Sequence, residues 1–487
     1  MDGARERRSL RGIPDSGRSV LDKKGEQMRL IVYSLLLLAA CAAMGACANA
    51  RNTARRSAGE SESPIAPFRK VTLKNGLDVI VKEVHSAPIV AVFLWCNTGS
   101  VNEDERLEGI SHFYEHMFFK GTEKRGVGEI DRVIKGLGGY NNAFTSNEYT
   151  AYYVVLPSEN FPLAADVLVD AIRNSKFPEE EIEKELGVIK EEINRKEDDP
   201  SGRLSEEIFK VMFPGTRYEH SVLGSKESVS KLTRDDFKTY LSRFYVPNNM
   251  TAVVVGDVRT SDAIGEIERL TAGWAPNPGI GKPAADMKVR MVKGIRGFTI
   301  EKDVNMSYVM MTLQTSGLAD PKENAVMDVV STILGEGRSS RLYRRIVEKE
   351  QIAMSVSAFI HPLMHTGMLA VTGTMDRENV TRFRDAVLDE IGKLRAQQPV
   401  PEELAKAKTM LKADFAFSNE TDSDIAGTLG YYNVMGMFDR VTRYERIIDS
   451  VTTEDVYAYS GKVLDPASYT MGVINQRIPS FREVKGE

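Results

Sequence analysis

Cysteine is scarce in this sequence, with three residues in 487. Cys41 and Cys47 lie inside an apolar N-terminal segment, and Cys96 lies in the apolar run VAVFLWC. Three cysteines placed in this way cannot form the disulfide framework that staples a small secreted domain. The chain must therefore be stabilised by ordinary hydrophobic cores, and we expect Cys96 to be a buried thiol in a strand.

A strong charge of either sign is also missing. Lys and Arg number 64 and Asp and Glu number 69, so the net charge is -5. This balance argues against a dedicated nucleic-acid-binding protein, and no nucleotide-binding motif is present. Hydrophobic residues at 42% and charged residues at 27% are typical of globular proteins, and the length predicts more than one domain.

A long apolar segment lies near the N-terminus, from Met28 to Ala50, after a basic, polar leader. Its basic start, apolar run and small residues predict a signal peptide over residues 1–50, with translation starting at Met1 or at Met28. Leu38-Ala39-Ala40-Cys41 resembles a lipoprotein signal, which would lipidate Cys41, whereas Ala48-Asn49-Ala50 is a competing site for soluble secretion. An uncleaved membrane helix is the other reading. We expect export to a bacterial periplasm, with membrane contact only through a lipid anchor.

The remaining chain predicts two α+β halves. After a polar linker over residues 51–65, the alternation in VTLKNGLDVIVKEV predicts a hairpin that turns at Asn75-Gly76, and the segment 142–156 predicts another strand. Pro and Gly cluster near residues 273–279 and indicate an interdomain linker over 271–289. We therefore predict domains at 66–270 and 290–487 with one shared topology, each a mainly antiparallel sheet covered by helices, closing like a clam around a chamber.

The stretch GISHFYEHMFFKGT contains His112, Glu115 and His116. On a helix, residues i, i+3 and i+4 share a face, so these three side chains would project together. Two imidazoles one turn apart suit zinc, and an adjacent carboxylate can act on a water. His361 and His365 are also four apart, but Pro362 lies between them and no carboxylate is nearby, so we interpret that pair as a loop.

A catalytic zinc site needs a third protein ligand, and the tract EEEIEKELGVIKEEINRKEDD offers many carboxylates. Ile182, Leu186, Ile189 and Ile193 form an apolar stripe along a predicted helix. Glu185 and Glu192 lie seven apart on the same flank of that stripe, while Glu191 points to the solvent side. Helical phase alone leaves Glu185 and Glu192 equally good candidates.

These residues resemble the pitrilysin and insulinase family of zinc peptidases with the inverted HxxEH motif, and particularly the branch of the mitochondrial processing peptidase β subunit and its bacterial relatives. LKNGLDVIVKE, NAFTSNEYTAYY, YVPNNMTAVVVGDV and GEGRSSRLYRRIVEK also look like family landmarks. The resemblance implies one Zn²⁺ per chain held by His112, His116 and Glu192. It also implies that Glu115 is the general base, that Glu185 is a supporting catalytic carboxylate, and that substrate backbone pairs with a strand at Asn142, Ala143 and Phe144.

The sequence departs from the family pattern in its second half. Full peptidases of the family carry an Arg and a Tyr seven apart that contact substrate, and the aligned positions here are Val347 and Met354. We therefore expect a zinc endopeptidase for peptides or unfolded segments that works as the zinc-bearing subunit of a heterodimer, with a homologous partner supplying that pair, or otherwise as a homodimer. The alternative is a catalytically silent structural or peptide-binding subunit.

Overall fold

The computed structural model describes residues 63, 65–280, 287, 289–291 and 293–477. The predicted signal peptide, Cys41, nearly all of the predicted linker at 51–65 and part of that at 271–289 lie outside these ranges. Among the described residues, no helix combines the length and the apolar character needed to span a bilayer.

The first half is built on a six-stranded sheet. Its strands are β1 (Arg69–Thr72), β2 (Asp78–Glu83), β3 (Ile89–Cys96), β4 (Tyr140–Thr145), β5 (Thr150–Pro157) and β6 (Met250–Gly256), in the order β1-β2-β6-β3-β5-β4. All neighbours are antiparallel except β2 and β6. The predicted hairpin at Asn75-Gly76 joins β1 to β2, and Gly76 is required there because it has φ +88° and a Cβ would lie 2.6 Å from Asn248. Cys96 is buried in β3, as expected.

The second half is built on a five-stranded sheet. Its strands are β7 (Arg296–Lys302), β8 (Ser307–Thr315), β9 (Ser355–Pro362), β10 (Gly367–Met375) and β11 (Thr470–Gln476), in the order β7-β11-β8-β10-β9. This order repeats β2-β6-β3-β5-β4 of the first sheet, including its parallel pair, β7 with β11. The predicted class, two mainly antiparallel α+β halves of one topology, is confirmed.

Helices cover both sheets. In the first half they are α1 (Ile110–Met117), α2 (Glu129–Gly136), α3 (Phe161–Arg173), α4 (Glu179–Asp198), α5 (Pro200–Met212), α6 (Lys226–Val229), α7 (Arg234–Phe244) and α8 (Thr260–Thr271). In the second half they are α9 (Pro321–Gly335), a π-helical segment (Tyr343–Lys349), α10 (Val380–Ala396), α11 (Pro401–Phe417), α12 (Asp422–Val434), α13 (Tyr444–Asp449) and α14 (Thr453–Val463).

The two halves exchange one helix each. Leu204 and Ile208 of α5 pack with Met310 of β8 in the second sheet. Reciprocally, Ile425 and Leu429 of α12 pack in one cluster with side chains of the first sheet, among them Phe93, Trp95 and Val253. Each sheet is thus covered on one face by its own helices and on the other by a helix from the opposite half. The described residues from 63 to 477 belong to one compact unit.

Two local predictions need correction. The segment 142–156 is a hairpin of β4 and β5 and not a single strand, because residues 146–149 turn and Ser146 N donates to Tyr149 O at 2.8 Å. His361 and Pro362 belong to strand β9, and only the residues after Pro362 form the predicted loop. Proline is tolerated there because it lies at the end of an edge strand, where few backbone donors are needed.

Candidate metal centre

Helix α1 carries the histidine motif and is anchored at its N-terminus. Gly109, which precedes it, has φ +88°, and a Cβ there would lie 2.7 Å from the carbonyl of Leu223. The buried carboxylate of Glu103 accepts from the backbone N–H of Gly109 at 2.7 Å and of Ser111 at 2.8 Å. These contacts satisfy backbone donors that the helix itself leaves free. The start of α1 is therefore fixed in position.

The apolar residues of α1 fix its rotation. Phe113, Tyr114 and Met117 are buried in the core of the first half. Because these residues occupy one side of the helix, His112 and His116 project together from another side, with ring centroids 4.7 Å apart. Packing thus converts the sequence spacing into a pair of imidazoles that face the same space.

Helix α4 brings a carboxylate to this pair. Glu192 Oε2 lies 3.5 Å from His112 Nε2 and 3.5 Å from His116 Nε2. Two ligand atoms bound at zinc distances in a tetrahedral site lie roughly 3.4 Å apart, so these separations fit a zinc ion. Among the described residues, the group His112, His116 and Glu192 is the one set of three that could hold a metal ion, with ligand atoms within 4.8 Å of one another.

The surroundings shift the pKa values of the two histidines in opposite directions. Burial, together with the neighbouring His116, lowers the pKa of His112 to about 4, so its ring is neutral at neutral pH. Burial alone would lower the pKa of His116 as well, but hydrogen bonds to the carboxylates of Glu192 and Glu185 raise it above its ordinary value. A metal ion requires both rings in the neutral form, so its binding would release any proton that His116 holds.

Glu185 lies behind the histidine pair. Its Oε2 is 3.0 Å from His116 Nδ1, and its Oε1 is 2.5 Å from Lys120 Nζ. Burial opposes ionisation of Glu185, but Lys120 and His116 hold the pKa of its carboxyl below the ordinary value. A carboxylate at Nδ1 keeps the proton on that nitrogen and leaves Nε2 free as a metal ligand. The structure therefore separates the two acids that helical phase could not: Glu192 faces Nε2, and Glu185 faces Nδ1.

Glu115 stands beside the three candidate ligands without being one of them. Thr145 Oγ1 donates a hydrogen bond of 2.6 Å to Glu115 Oε2. Burial raises the pKa of Glu115 despite this hydrogen bond. A carboxyl with a raised pKa is a better proton acceptor near neutral pH, which is the property that a general base needs.

Strand β4 contains the predicted substrate-binding residues Asn142, Ala143 and Phe144 and lies at the edge of the first sheet. Its backbone pairs with β5 on one side, and no other described strand lies on the outer side. An edge strand of this kind can accept a further strand through main-chain hydrogen bonds. Since Thr145 of the same strand contacts Glu115, this edge begins at the candidate site.

Sequence reasoning missed Thr145 and Lys120, which contact Glu115 and Glu185 respectively. Neither follows from motif spacing, although Thr145 directly follows the predicted strand residues 142–144. At the two positions of the missing Arg and Tyr, Val347 is half-buried against the core of the second half, and Met354 is 71% exposed.

Comparison with known families identifies the chain. Residues 78–226 match the model described as Insulinase (Peptidase family M16), and residues 231–411 match the model described as Peptidase M16 inactive domain. The chain belongs to peptidase family M16. The predicted membership in the pitrilysin and insulinase family is confirmed, and the histidine motif of this M16 chain lies within the first match.

Relatives of this M16 chain extend over most of its length. It is 27% identical over 408 residues to an uncharacterized zinc protease of Rickettsia bellii, covering 84% of this chain and 97% of that protein. It is 28% identical to a probable mitochondrial-processing peptidase subunit beta of Arabidopsis thaliana, covering 74% and 69% of the two chains. The crystal structure of a protease from Helicobacter pylori matches with a TM-score of 0.79 and 25% identity, covering 84% and 99%. The Rickettsia relative is named a zinc protease, and the other two are named a processing peptidase subunit and a protease.

Proposed function

We propose that this chain is a zinc-dependent endopeptidase that hydrolyses peptides or unfolded protein segments. The observation that carries the proposal is the arrangement of His112, His116 and Glu192, with separations suited to zinc, and the adjacent carboxylate of Glu115 that is left out of the ligand group. Relatives that are named zinc proteases, such as the Rickettsia bellii protein, support the same function.

The chemistry divides between the ion and the chain. Zinc, when bound by these three residues, would supply positive charge that polarises a peptide carbonyl and acidifies a water. Glu115 takes a proton from that water on its carboxylate and delivers it to the leaving amine nitrogen, while the hydroxyl group adds to the carbonyl carbon. One water is consumed for each peptide bond broken. Thr145 orients Glu115 through its hydrogen bond, and Glu185 orients His116.

Substrate would bind in an extended form. The outer edge of β4 at Asn142, Ala143 and Phe144, which pairs with no other strand of the described ranges, offers main-chain donors and acceptors next to Glu115 and favours an extended peptide as an added strand. A folded protein does not offer a free extended segment, so the proposal specifies peptides and unfolded regions.

The test uses the full chain with a mixed library of quenched fluorescent peptides, and zinc is measured on the same sample. We expect cleavage by the wild type, alone or with a homologous partner chain added, a loss of at least about 100-fold in Glu115→Gln under the same conditions, and an unchanged zinc content in that variant. Glu191→Gln is the matched control, because Glu191 lies exposed on α4, one residue from Glu192, and its side chain accepts a hydrogen bond from Asn194 of the same helix.

Two outcomes contradict the proposal. Wild-type rates in Glu115→Gln with zinc retained would show that this carboxylate moves no proton. Zinc-loaded wild type that cleaves nothing, alone or with a homologous partner, would instead favour the silent structural or peptide-binding subunit.

We also infer a homologous partner chain, so that this chain would be the zinc-bearing half of a heterodimer. Val347 and Met354 stand where the family resemblance places a substrate-contacting Arg and Tyr, and neither side chain can replace them chemically. Full peptidase activity of the purified chain as a monomer or homodimer, with oligomeric state measured by light scattering, would contradict this inference.

Export to the periplasm and lipidation of Cys41 stay proposals from the sequence. Cell fractionation and mass spectrometry of the mature N-terminus test them. A lipid on Cys41 supports the anchored form, whereas a chain that starts after Ala50 supports soluble secretion.

A further inference from the structure

A cavity of about 670 Å³ lies between the first sheet and the helices of the second half. It opens on the face of the sheet that α12 covers. Its sheet side is aromatic and comprises Phe93, Trp95, Phe144, Tyr149 and Tyr153. Its opposite side includes α9, α11, α12 and α13 and contributes Phe415, Tyr431, Tyr432 and Tyr444. The predicted metal ligands and Glu115 do not line it.

The ionisable side chains of this cavity, apart from tyrosines, are all acids. Asp328, Asp414 and Asp424 line it, and none of its described lining residues is a Lys, Arg or His. Asp424 is occupied as the partner of Thr421 at the start of α12. Asp328 and Asp414 form no ion pair with any described residue, and Asp328 hydrogen-bonds with the side chain of Tyr444. Asn419, which is 6% exposed and also lines the cavity, has a side-chain oxygen without a hydrogen-bond partner.

Asp328 lies deep in this space, where burial raises the pKa of its carboxyl to about 7, and a positive charge bound beside it would favour the ionised form. A second cavity of about 130 Å³ shares Asp328, Tyr431, Tyr432 and Tyr444 with the first, so Asp328 stands at the wall common to both. Aromatic walls that lead to carboxylates suit a long cationic side chain, because its methylene groups pack on the rings and its charge is attracted by ring faces and acids.

The pleat of β4 connects this cavity to the candidate site. Thr145 points to Glu115 on one face of the sheet, and the ring of Phe144 points to the other face, where it lies 5.4 Å from the ring of Trp95 and lines the cavity. Successive side chains of a strand added at the β4 edge alternate in the same way. A peptide with one residue facing Glu115 therefore presents a neighbouring residue to the cavity.

We propose that this cavity is a side-chain pocket that selects a lysine or arginine in the peptide substrate, with Asp328 and Asp414 as its specificity-determining residues. The proposal rests on the proposed function, since it specifies the substrate of that site. It assigns the second half a direct role in substrate choice, separate from that of the missing Arg and Tyr.

The test measures binding apart from cleavage. The full Glu115→Gln chain, loaded with zinc, is titrated into fluorescein-labelled peptides that differ at one position, where each carries Lys, Arg, norleucine or Glu, and the variable position is moved along the peptide. At one position we expect Lys and Arg peptides to bind about tenfold tighter than the norleucine peptide. Asp328→Asn combined with Asp414→Asn should reduce this preference to within about twofold.

A charge reversal and a matched control complete the design. Asp414 is exposed, so Asp414→Lys should fold, and it should shift the preference from the Lys peptide toward the Glu peptide. Glu420→Gln removes one negative charge next to Asn419, outside the cavity lining, and should leave the preference unchanged. Equal binding of all four peptides, or a preference that survives the double Asp variant and Asp414→Lys, overturns the pocket.

Failure of the pocket and failure of the proposed function give different results. If the wild-type chain cleaves peptides without any charge preference at any position, the proposed specificity pocket is refuted and the proposed peptidase activity is supported. If no peptide is cleaved, alone or with a homologous partner, but the cationic preference and its loss in the Asp variants are observed, the proposed pocket is supported and the proposed peptidase activity is overturned.

Discussion

Removing the charge of Glu185 should weaken zinc binding without removing a ligand. In the wild type, His116 Nδ1 lies 3.0 Å from the carboxylate of Glu185. In Glu185→Gln the amide can still contact Nδ1, but it no longer provides the negative charge that favours a proton on this nitrogen. Lys120 loses its partner as well, although it is 30% exposed and can turn to solvent. The cost therefore falls mainly on the orientation and basicity of His116.

Loss of an outer hydrogen-bond partner of a metal-binding histidine typically costs about 10- to 100-fold in metal affinity. This range corresponds to about 1.4 to 2.8 kcal/mol, and we expect Glu185→Gln to fall within it. The assay is a competition titration of the apo chain against a zinc chelator of known affinity at fixed pH, which requires no turnover.

Glu181→Gln is the matched control, since Glu181 is also buried on α4, about one turn away, and pairs with Lys184 instead of a histidine. We expect it to leave the zinc affinity unchanged. A Glu185→Gln affinity within twofold of wild type, or an equal loss in Glu181→Gln, would refute the reasoning that Glu185 acts through His116.

Three further predictions concern stability. Gly430→Ala should lower the free energy of unfolding by about 1 to 3 kcal/mol, because a Cβ at this position would lie 2.0 Å from Trp95 Nε1. Gly427→Ala on the same helix is the control and should not destabilise the protein, because a Cβ there meets nothing within 4 Å. Equal denaturant midpoints for the two variants would contradict this prediction. Burial raises the pKa of Asp328 from 3.8 to about 7. The stability associated with its neutral form is therefore present below about pH 4 and is lost as the pH rises through about 7. Asp328→Asn should make the melting temperature less dependent on pH across this window. Chelation of zinc should lower the melting temperature, and readdition should restore it, because a ligand that binds the native state stabilises it; identical melting curves with and without chelator would exclude a bound structural or catalytic ion.

Part of the site could be predicted because it depends on local geometry. His112 and His116 share a face of α1 by helical spacing alone, and the buried residues Phe113 and Met117 orient that face. The strand order of the first sheet is set by longer-range contacts, yet the alternation in the sequence was sufficient to place most of its strands.

The choice between Glu185 and Glu192 could not be made from the periodicity of α4. The two acids are seven residues apart, almost two full turns, so they occupy the same flank. Only the position of α4 against α1 decides which acid faces Nε2 and which faces Nδ1 of His116. Tertiary packing, and not helical phase, makes that distinction.

The exchange of α5 and α12 could not be predicted for a related reason. Periodicity shows that a helix has an apolar face, but it does not show which sheet that face will cover. Leu204 of α5 and Leu429 of α12 would fit an apolar sheet surface in either half. Which sheet each helix covers depends on the path that the chain takes between α4 and α5 and between α11 and α12.

The exchanged helices also affect how the chain can be divided. A fragment that ends between the halves would contain α5 without the sheet it covers, and its own sheet would lack α12. Two complementary fragments would therefore carry matching apolar surfaces and should reassemble as a split protein. The same contacts are available between two intact chains, which gives this fold an inherent route to domain-swapped dimers that needs no new interface.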